Sequence, residues 1–398
     1  MMGSSPAGDL SAAEDFSQSG GSRTSAANSP RVCGIVLAGS YHWGDTAFEK
    51  TFRGPMLPVA QTPIISYPLH WLRSGGVREA VVCANSATEP VQRYLGDGSR
   101  MGMHLKYFED HVPRGPAGCA RDATTLSRAD LFVIVEGALI PSLDMAALLN
   151  SHACSGASVT VVAEIERRKN TQTTHQPPLS GGIYVFNRSV LTDIPDRGYQ
   201  DIKEGLLAVL YAKRERVLSF EMQGLTPRVL DYATYAGVSR WLITRSLHSS
   251  AFLSHYVRIG DRLQHPTAIV DQSSRFIGPV LVGAGARVGA GALIVGPTTI
   301  GAGSDIGAGA LVSRSLIWEK VVVGAGAALD CCLLADQTVV RPNKRLYATV
   351  EIRDGNTEPL TGPEEFAGSM GAKLNFLSSL RSSSAFLTSL DRRTTSTV

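Results

Sequence analysis

Cysteine is scarce and unpatterned. The six fall at positions 33, 83, 119, 154, 331 and 332, with no C-x-x-C pair and no histidine at metal-ligand spacing. This excludes a cysteine zinc site and a disulfide framework and fits a reducing cytoplasm. An excess of one charge sign is also lacking. Charged residues are 18% of the chain and the formal net charge is +3; the basic residues are scattered, and their one cluster, Arg167-Arg168-Lys169, falls in a polar Thr/Gln/His stretch. Nucleic acid is therefore not an expected partner. Long apolar runs are missing too, so no membrane span and no signal peptide are expected. The first thirty residues, rich in Ser, Gly and Ala, read as a disordered tail.

What is present is a chain of 398 residues, 43% hydrophobic, long enough for two domains with their own cores. From 31 to 247, short β-rich runs at 32–39, 79–85, 131–137, 158–166 and 181–187 alternate with helix-length segments, the pattern of βαβ units on a mostly parallel sheet. The segments "PIISYPLHWLRSGG", "MAALLNSHACSG" and "IKEGLLAVLYAKR" are predicted helices, the first closed by a Gly pair suited to a left-handed cap. A linker is expected over 248–265.

The composition then changes. Counting in sixes from Val270 meets Phe276, Val282, Val288, Ile294, Ile300, Ile306, Val312 and Trp318, an unbroken apolar column. With 43% apolar residues, nine hits in one frame have a chance probability of about five in ten thousand. Small residues often follow a member, as in "VGAGARVGAGALIVG". One inward aliphatic per hexad, with small residues at the corners, predicts a left-handed parallel β-helix over 266–350, with about four coils and a loop inserted near "EKVVVGAGAALDCC". The fold class expected is thus α/β, a Rossmann-like mostly parallel sheet followed by this β-helix. The segment 351–398 ends Ser/Thr-rich and reads as a tail, mostly disordered.

The stretch "GIVLAGSYHWGDTAFEKTFRGPMLPV" opens as a strand running into a glycine loop, but without the charges that would hold a nucleotide. Its "LAG" strand end and later "PMLPVAQTPII", placed ahead of a hexapeptide β-helix, resemble the sugar-nucleotide pyrophosphorylase family over about 31–346. The nearest group is that of mannose-1-phosphate guanylyltransferase and glucose-1-phosphate adenylyltransferase. The resemblance implies joining of a nucleoside triphosphate and a sugar 1-phosphate with release of pyrophosphate, and Mg2+ where the member is active.

Laid against the family motif without a gap, Leu37, Ala38 and Gly39 match, and the contents then depart. Ser40 and His42 stand where the resemblance implies glycines that admit the triphosphate, Gly44 where it implies an arginine and Gly54 where it implies a lysine; Arg53 is one residue off. "LFVIVEGALIPSLDMAALLNSH" places Ala138 at the first magnesium aspartate, with Glu136 a displaced carboxylate two positions earlier. "TPRVLDYATYAGVSRWLI" makes Asp231 the second carboxylate. "VPRGPAGCARDA" aligns Gly115, Ala117 and Gly118 with a backbone turn against base or sugar. In "PLSGGIYVF", Ser180 replaces a sugar-contacting asparagine while Gly182 matches. Glu204 takes the place of the lysine that meets the sugar phosphate, with Lys203 adjacent. The changes remove cations and metal ligands and leave the backbone architecture.

The resulting expectation is a family member impaired in nucleotidyl transfer that binds a nucleoside triphosphate or sugar nucleotide, alone, as a homo-oligomer or with an active paralogue. The alternative is an active enzyme with relocated groups, Glu136, Asp231, Arg53 and Lys203. A hexapeptide-repeat acyltransferase is a third reading; it needs a histidine at a coil edge, and 267–340 contains none, with His265 just before it.

Overall fold

The computed structural model describes residues 30–39, 46–85, 88–111, 114–165, 179–224, 226–246, 253–352 and 356–359. The tail read at 1–30, apart from Pro30, and most of that read at 351–398 lie outside the described residues, as do Ser40, His42, Gly44 and the basic cluster at 167–169.

The first part is a seven-stranded sheet. In chain order its region holds β1 (Val32–Leu37), a small hairpin of β2 (Pro58–Val59) and β3 (Thr62–Pro63), then β4 (Glu79–Ala84), β5 (His104–Glu109), β6 (Leu131–Glu136), β7 (Val159–Ile165), β8 (Leu179–Asn187) and β9 (Val217–Gln223). Outside the hairpin, the strands lie in the order β5-β4-β1-β6-β8-β7-β9. Only β8 runs antiparallel to its neighbours, so the sheet is mostly parallel as expected. The two strands absent from the sequence reading, β5 and β9, are the sheet edges. Their half-exposed, polar-interrupted sequences carry no continuous apolar run.

Because side chains alternate along a strand, each face has its own core. Val36, Val82, Val133 and Val135 pack with Leu69 and Leu72 of α2 (Ser66–Ser74) and Leu148 of α5 (Met145–Ser155). Ile35, Val81, Phe132 and Ile134 pack with Ala117 and Ala120 of α4 (Gly115–Ala123). The remaining helices are α1 (Ala47–Thr51), α3 (Thr88–Leu95), α6 (Arg188–Thr192), α7 (Leu207–Ala212) and α8 (Tyr232–Ser246). Gly34 lets α2 lie close, since a Cβ there would stand 2.6 Å from Leu72. The helix predicted from "IKEGLLAVLYAKR" begins as one wide turn, with the Leu206 N–H donating to the Asp201 carbonyl at 2.9 Å, before α7.

The second part is a parallel β-helix with three walls. Two walls have five strands each and the third has eight, closed at its ends by antiparallel hairpins, Val257–Ile259 with Arg262–Gln264 and Thr349–Ile352 with Asn356–Pro359. Five stacked coils result, one more than the repeat count predicts. Glycine corners allow the stacking: a Cβ on Gly301 would lie 2.2 Å from the Trp318 carbonyl oxygen, and one on Gly307 2.5 Å from the Ala325 nitrogen.

The hexad column needs one correction. Val282 aligns with Ile300, but Ile300 aligns with Ile317, so Ile317 and not Trp318 continues the column. No loop is inserted. One corner is a residue shorter in each upper coil, with Arg314, Cys331 and Ala348 turning it at φ values of 49°, 55° and 45°. The slip points Trp318 out of the helix. There it joins an apolar cluster with Phe48 of α1, Tyr235 and Val238 of α8, and the outward residues Leu281, Leu316 and Leu333 of the eight-stranded wall. This cluster fastens the β-helix to the α/β part.

Candidate functional site

In open parallel sheets, ligands bind outside the carboxyl ends of the strands where connections diverge to opposite faces. Here that point is the end of β1, between β4 and β6. Leu37 pairs in register with Glu136, the Gly137 N–H donates to the Leu37 carbonyl (2.8 Å), and the Ala38 N–H donates to the Cys83 carbonyl (2.7 Å). Gly39 follows beside Asn85. Continuous ladder bonds thus hold Ala38 and Gly39 at the carboxyl end of the sheet, next to a carboxylate.

That carboxylate is not free. Arg228 reaches in from the segment before α8, Nη1 standing 3.7 Å from Glu136 Oε2 and Nη2 donating to Glu164 Oε1 at 2.9 Å. Glu164, whose side chain is 4% exposed, also accepts from the Thr226 N–H (3.0 Å). Gly182 closes the cluster: its φ is +71°, and a Cβ would fall 2.7 Å from the Glu136 carboxyl carbon. Two carboxylates around one guanidinium leave a net charge of −1, which opposes rather than attracts a phosphate. Arg228 and Glu164 carry no sequence signal, because their pairing spans 64 positions.

The other residues singled out from sequence fall into separate places. Ala138 is half-buried against the interdomain cluster, and its carbonyl accepts from the Val229 N–H (2.8 Å). Asp231 is exposed and caps α8, its Oδ1 accepting from the Thr234 N–H (2.7 Å) and hydroxyl (2.8 Å). The adjacent Tyr232 N–H donates to Glu49 Oε1 (3.2 Å), and Glu49 in turn holds the Thr46 cap of α1. Gly115, Ala117 and Gly118 begin α4 against the segment that leads to Lys203: the Gln200 carbonyl accepts from the Ala117 N–H (3.0 Å), and a Cβ on Gly115 would lie 2.5 Å from that oxygen. Lys203 and Glu204 are exposed beyond it, their N–H groups donating to Asp201. Ser180 lies on β8, opposite Ala163 of β7.

Arg53 lies elsewhere. It lines a groove of about 380 Å³ between the 52–63 segment and the β-helix, with Phe52, Gln61, Trp318, Glu319 and Asp336. Gln61 spans the junction, donating to the Ile300 carbonyl (3.0 Å) and accepting from the Tyr256 hydroxyl (3.2 Å). Burial pushes the Asp336 carboxyl above the usual carboxylate range. Burial also raises the Tyr235 hydroxyl far above the tyrosine range; it donates to the Pro58 carbonyl (2.8 Å) and accepts from Trp318 Nε1 (2.9 Å).

Among the described residues, those singled out as metal ligands do not fit a magnesium ion. Mg2+ takes oxygen ligands in near-octahedral geometry, and a carboxylate paired with a guanidinium is a poorer donor than a free one. Glu136 is in that state, Asp231 is engaged as a helix cap, and Ala138 has no donor. Among the described residues, no three His, Cys, Asp or Glu side chains come together as a metal-binding group. No helix among them is long and apolar enough to cross a membrane.

A mostly parallel sheet with a topological switch point at the end of β1, joined to a parallel β-helix, defines the class. Residues 48–174 match the nucleotidyl transferase family model, and the chain carries a domain of that family. The chain is 24% identical over 284 residues to a mannose-1-phosphate guanylyltransferase of Mycobacterium tuberculosis, covering 66% of this chain and 77% of that protein. It is 23% identical over 329 residues to a UTP–glucose-1-phosphate uridylyltransferase of Synechocystis, covering 74% and 85%. To a mannose-1-phosphate guanyltransferase of Schizosaccharomyces pombe it is 24% identical, covering 64% and 72%. The motif resemblance and the comparisons agree on the family.

Proposed function

We propose that this chain is a sugar-nucleotide-binding member of the family in which nucleotidyl transfer is severely impaired, and that it serves as a regulatory or partner subunit to an active paralogue. The observation that carries the reading is the Arg228 clasp: the carboxylate nearest the switch point is held by an internal cation, and the position the resemblance assigns to the first metal ligand is Ala138. Transfer builds charge on the α-phosphate and the departing pyrophosphate. Without the arginine, the lysine and a metal ligand, that charge has no counter-charge at the reacting atoms; losing one such donor costs about 100- to 1000-fold in rate. Binding is less affected, because the backbone turns at Ala38–Gly39 and Gly115–Gly118 recognise a ligand through shape, the Ala38 and Ala117 N–H groups being bonded to the Cys83 and Gln200 carbonyls.

The test is a paired measurement on the purified full chain with GTP and mannose 1-phosphate, then UTP and glucose 1-phosphate, and the matching sugar nucleotides. Pyrophosphate release is expected at background with Mg2+ present. Sugar-nucleotide binding by calorimetry is expected to change by less than about two-fold when EDTA replaces Mg2+, since no ligand-bridging metal is involved. Robust turnover that Glu136→Ala or Arg53→Ala abolishes would establish the relocated-site enzyme instead.

A further inference from the structure

One wall of the β-helix faces the α/β part; the wall built from 269–270, 287–288, 305–306, 322–323 and 339–340 does not. Its outward residues form one ladder in register, Ile269, Arg287, Asp305, Val322 and Val339. Three are aliphatic and exposed, at 62% for Ile269, 42% for Val322 and 70% for Val339. Arg287 and Asp305 are cross-strand neighbours in the middle, both exposed, and no ion pair joins them. A water-facing wall has no need of aliphatic residues at the positions that flank two unpaired opposite charges.

The order apolar–Arg–Asp–apolar is complementary to its own reverse. We propose that this wall pairs with the same wall of a second copy about a two-fold axis that passes between the second and third coils. Ile269 then meets the partner subunit's Val322, and Arg287 meets the partner subunit's Asp305, each contact occurring twice. Parallel stacking is disfavoured because it sets Arg287 against Arg287 and Asp305 against Asp305. Sheets packed face to face stand about 10 Å apart, close enough for the side chains to interdigitate. Five strands spaced about 4.8 Å apart make a wall roughly 19 Å from first strand to last, and four of the five overlap about this axis, so the interface is at the small end of the range and the dimer is concentration-dependent.

Sedimentation equilibrium on the full chain tests this across about 1–100 µM. The intact protein is expected to move from monomer to dimer within that range. Arg287→Glu and Asp305→Arg, made singly, place like charges across the axis and are expected to weaken association at least about ten-fold, with melting profiles unchanged. The double variant Arg287→Glu/Asp305→Arg restores opposite charges in swapped order and is expected to return to within about three-fold of the parent. A monomer throughout the range, or dimerisation indifferent to the single changes, would overturn the proposal.

Discussion

Arg228 ties together the carboxylates at the carboxyl end of the sheet. Its guanidinium neutralises Glu164, a nearly buried carboxylate, and reaches Glu136, which is more exposed. Removing it strands a buried negative charge. Arg228→Met is therefore expected to destabilise the fold by about 3–5 kcal/mol, the range for breaking a buried pair from one side. Arg228→Met/Glu164→Gln is expected to recover most of that loss, because the neutral amide can still accept from the Thr226 N–H. Urea unfolding of the two variants decides the matter; a double variant no better than the single would mean that the arginine acts through packing alone. At the same scale, Gly54 shows that a changed identity need not change the shape: nothing lies within 4 Å of a Cβ placed there. A side chain can start from that position without displacing a neighbour.

Elements hold the site through ordinary means, and α5 supplies the clearest example. Asp144 caps its start through the Ala146 N–H (3.0 Å), and Gly156 ends it at φ +61°. His152 on its inner face meets the Thr160 hydroxyl of β7 through Nδ1 (2.8 Å) and Asn187 at the end of β8 through Nε2 (3.2 Å). Burial holds its imidazole below the usual histidine range. As pH falls, the unfolded chain therefore takes up this proton first, at about 6.5, and the folded chain only at lower pH. The stability contribution is complete above about pH 6.5 and declines as pH falls toward the depressed folded value. Urea midpoints measured from pH 7.5 to 5.5 are expected to fall, and His152→Gln is expected to flatten the slope. An equal slope in both proteins would assign the pH dependence to other groups.

At the scale of the whole molecule, the apolar cluster around Trp318 makes the two parts one cooperative object. Phe48, Tyr235 and Trp318 meet edge-on or stacked, with ring centroids 5.7–6.3 Å apart, and α8 covers the eight-stranded wall. Tryptophan fluorescence, to which Trp318 and Trp241 at this junction contribute alongside Trp43 and Trp71, and far-UV circular dichroism are expected to trace one thermal transition. Two transitions separated by more than about 5 °C would show that the parts melt independently.

The features legible without a structure are those carried by local periodicity or by residue identity. The hexads of 270–312 announce the β-helix because each inward position depends only on its neighbours in sequence. The apolar runs of β1, β4 and β6 announce a buried sheet for the same reason. The glycines at 44 and 54 and Ala138 carry no charge in any fold, and that they stand in place of two cations and a metal ligand is what the resemblance implies. Tertiary structure alone decided the rest. A single residue lost at the Arg314 corner put Ile317 inside and turned Trp318 toward α8, which a six-residue count does not detect. The edge strands β5 and β9 owe their place to pairing rather than to propensity. The state of Glu136 depends on a guanidinium far along the chain, and an ion pair forms only where folding removes the water between its partners.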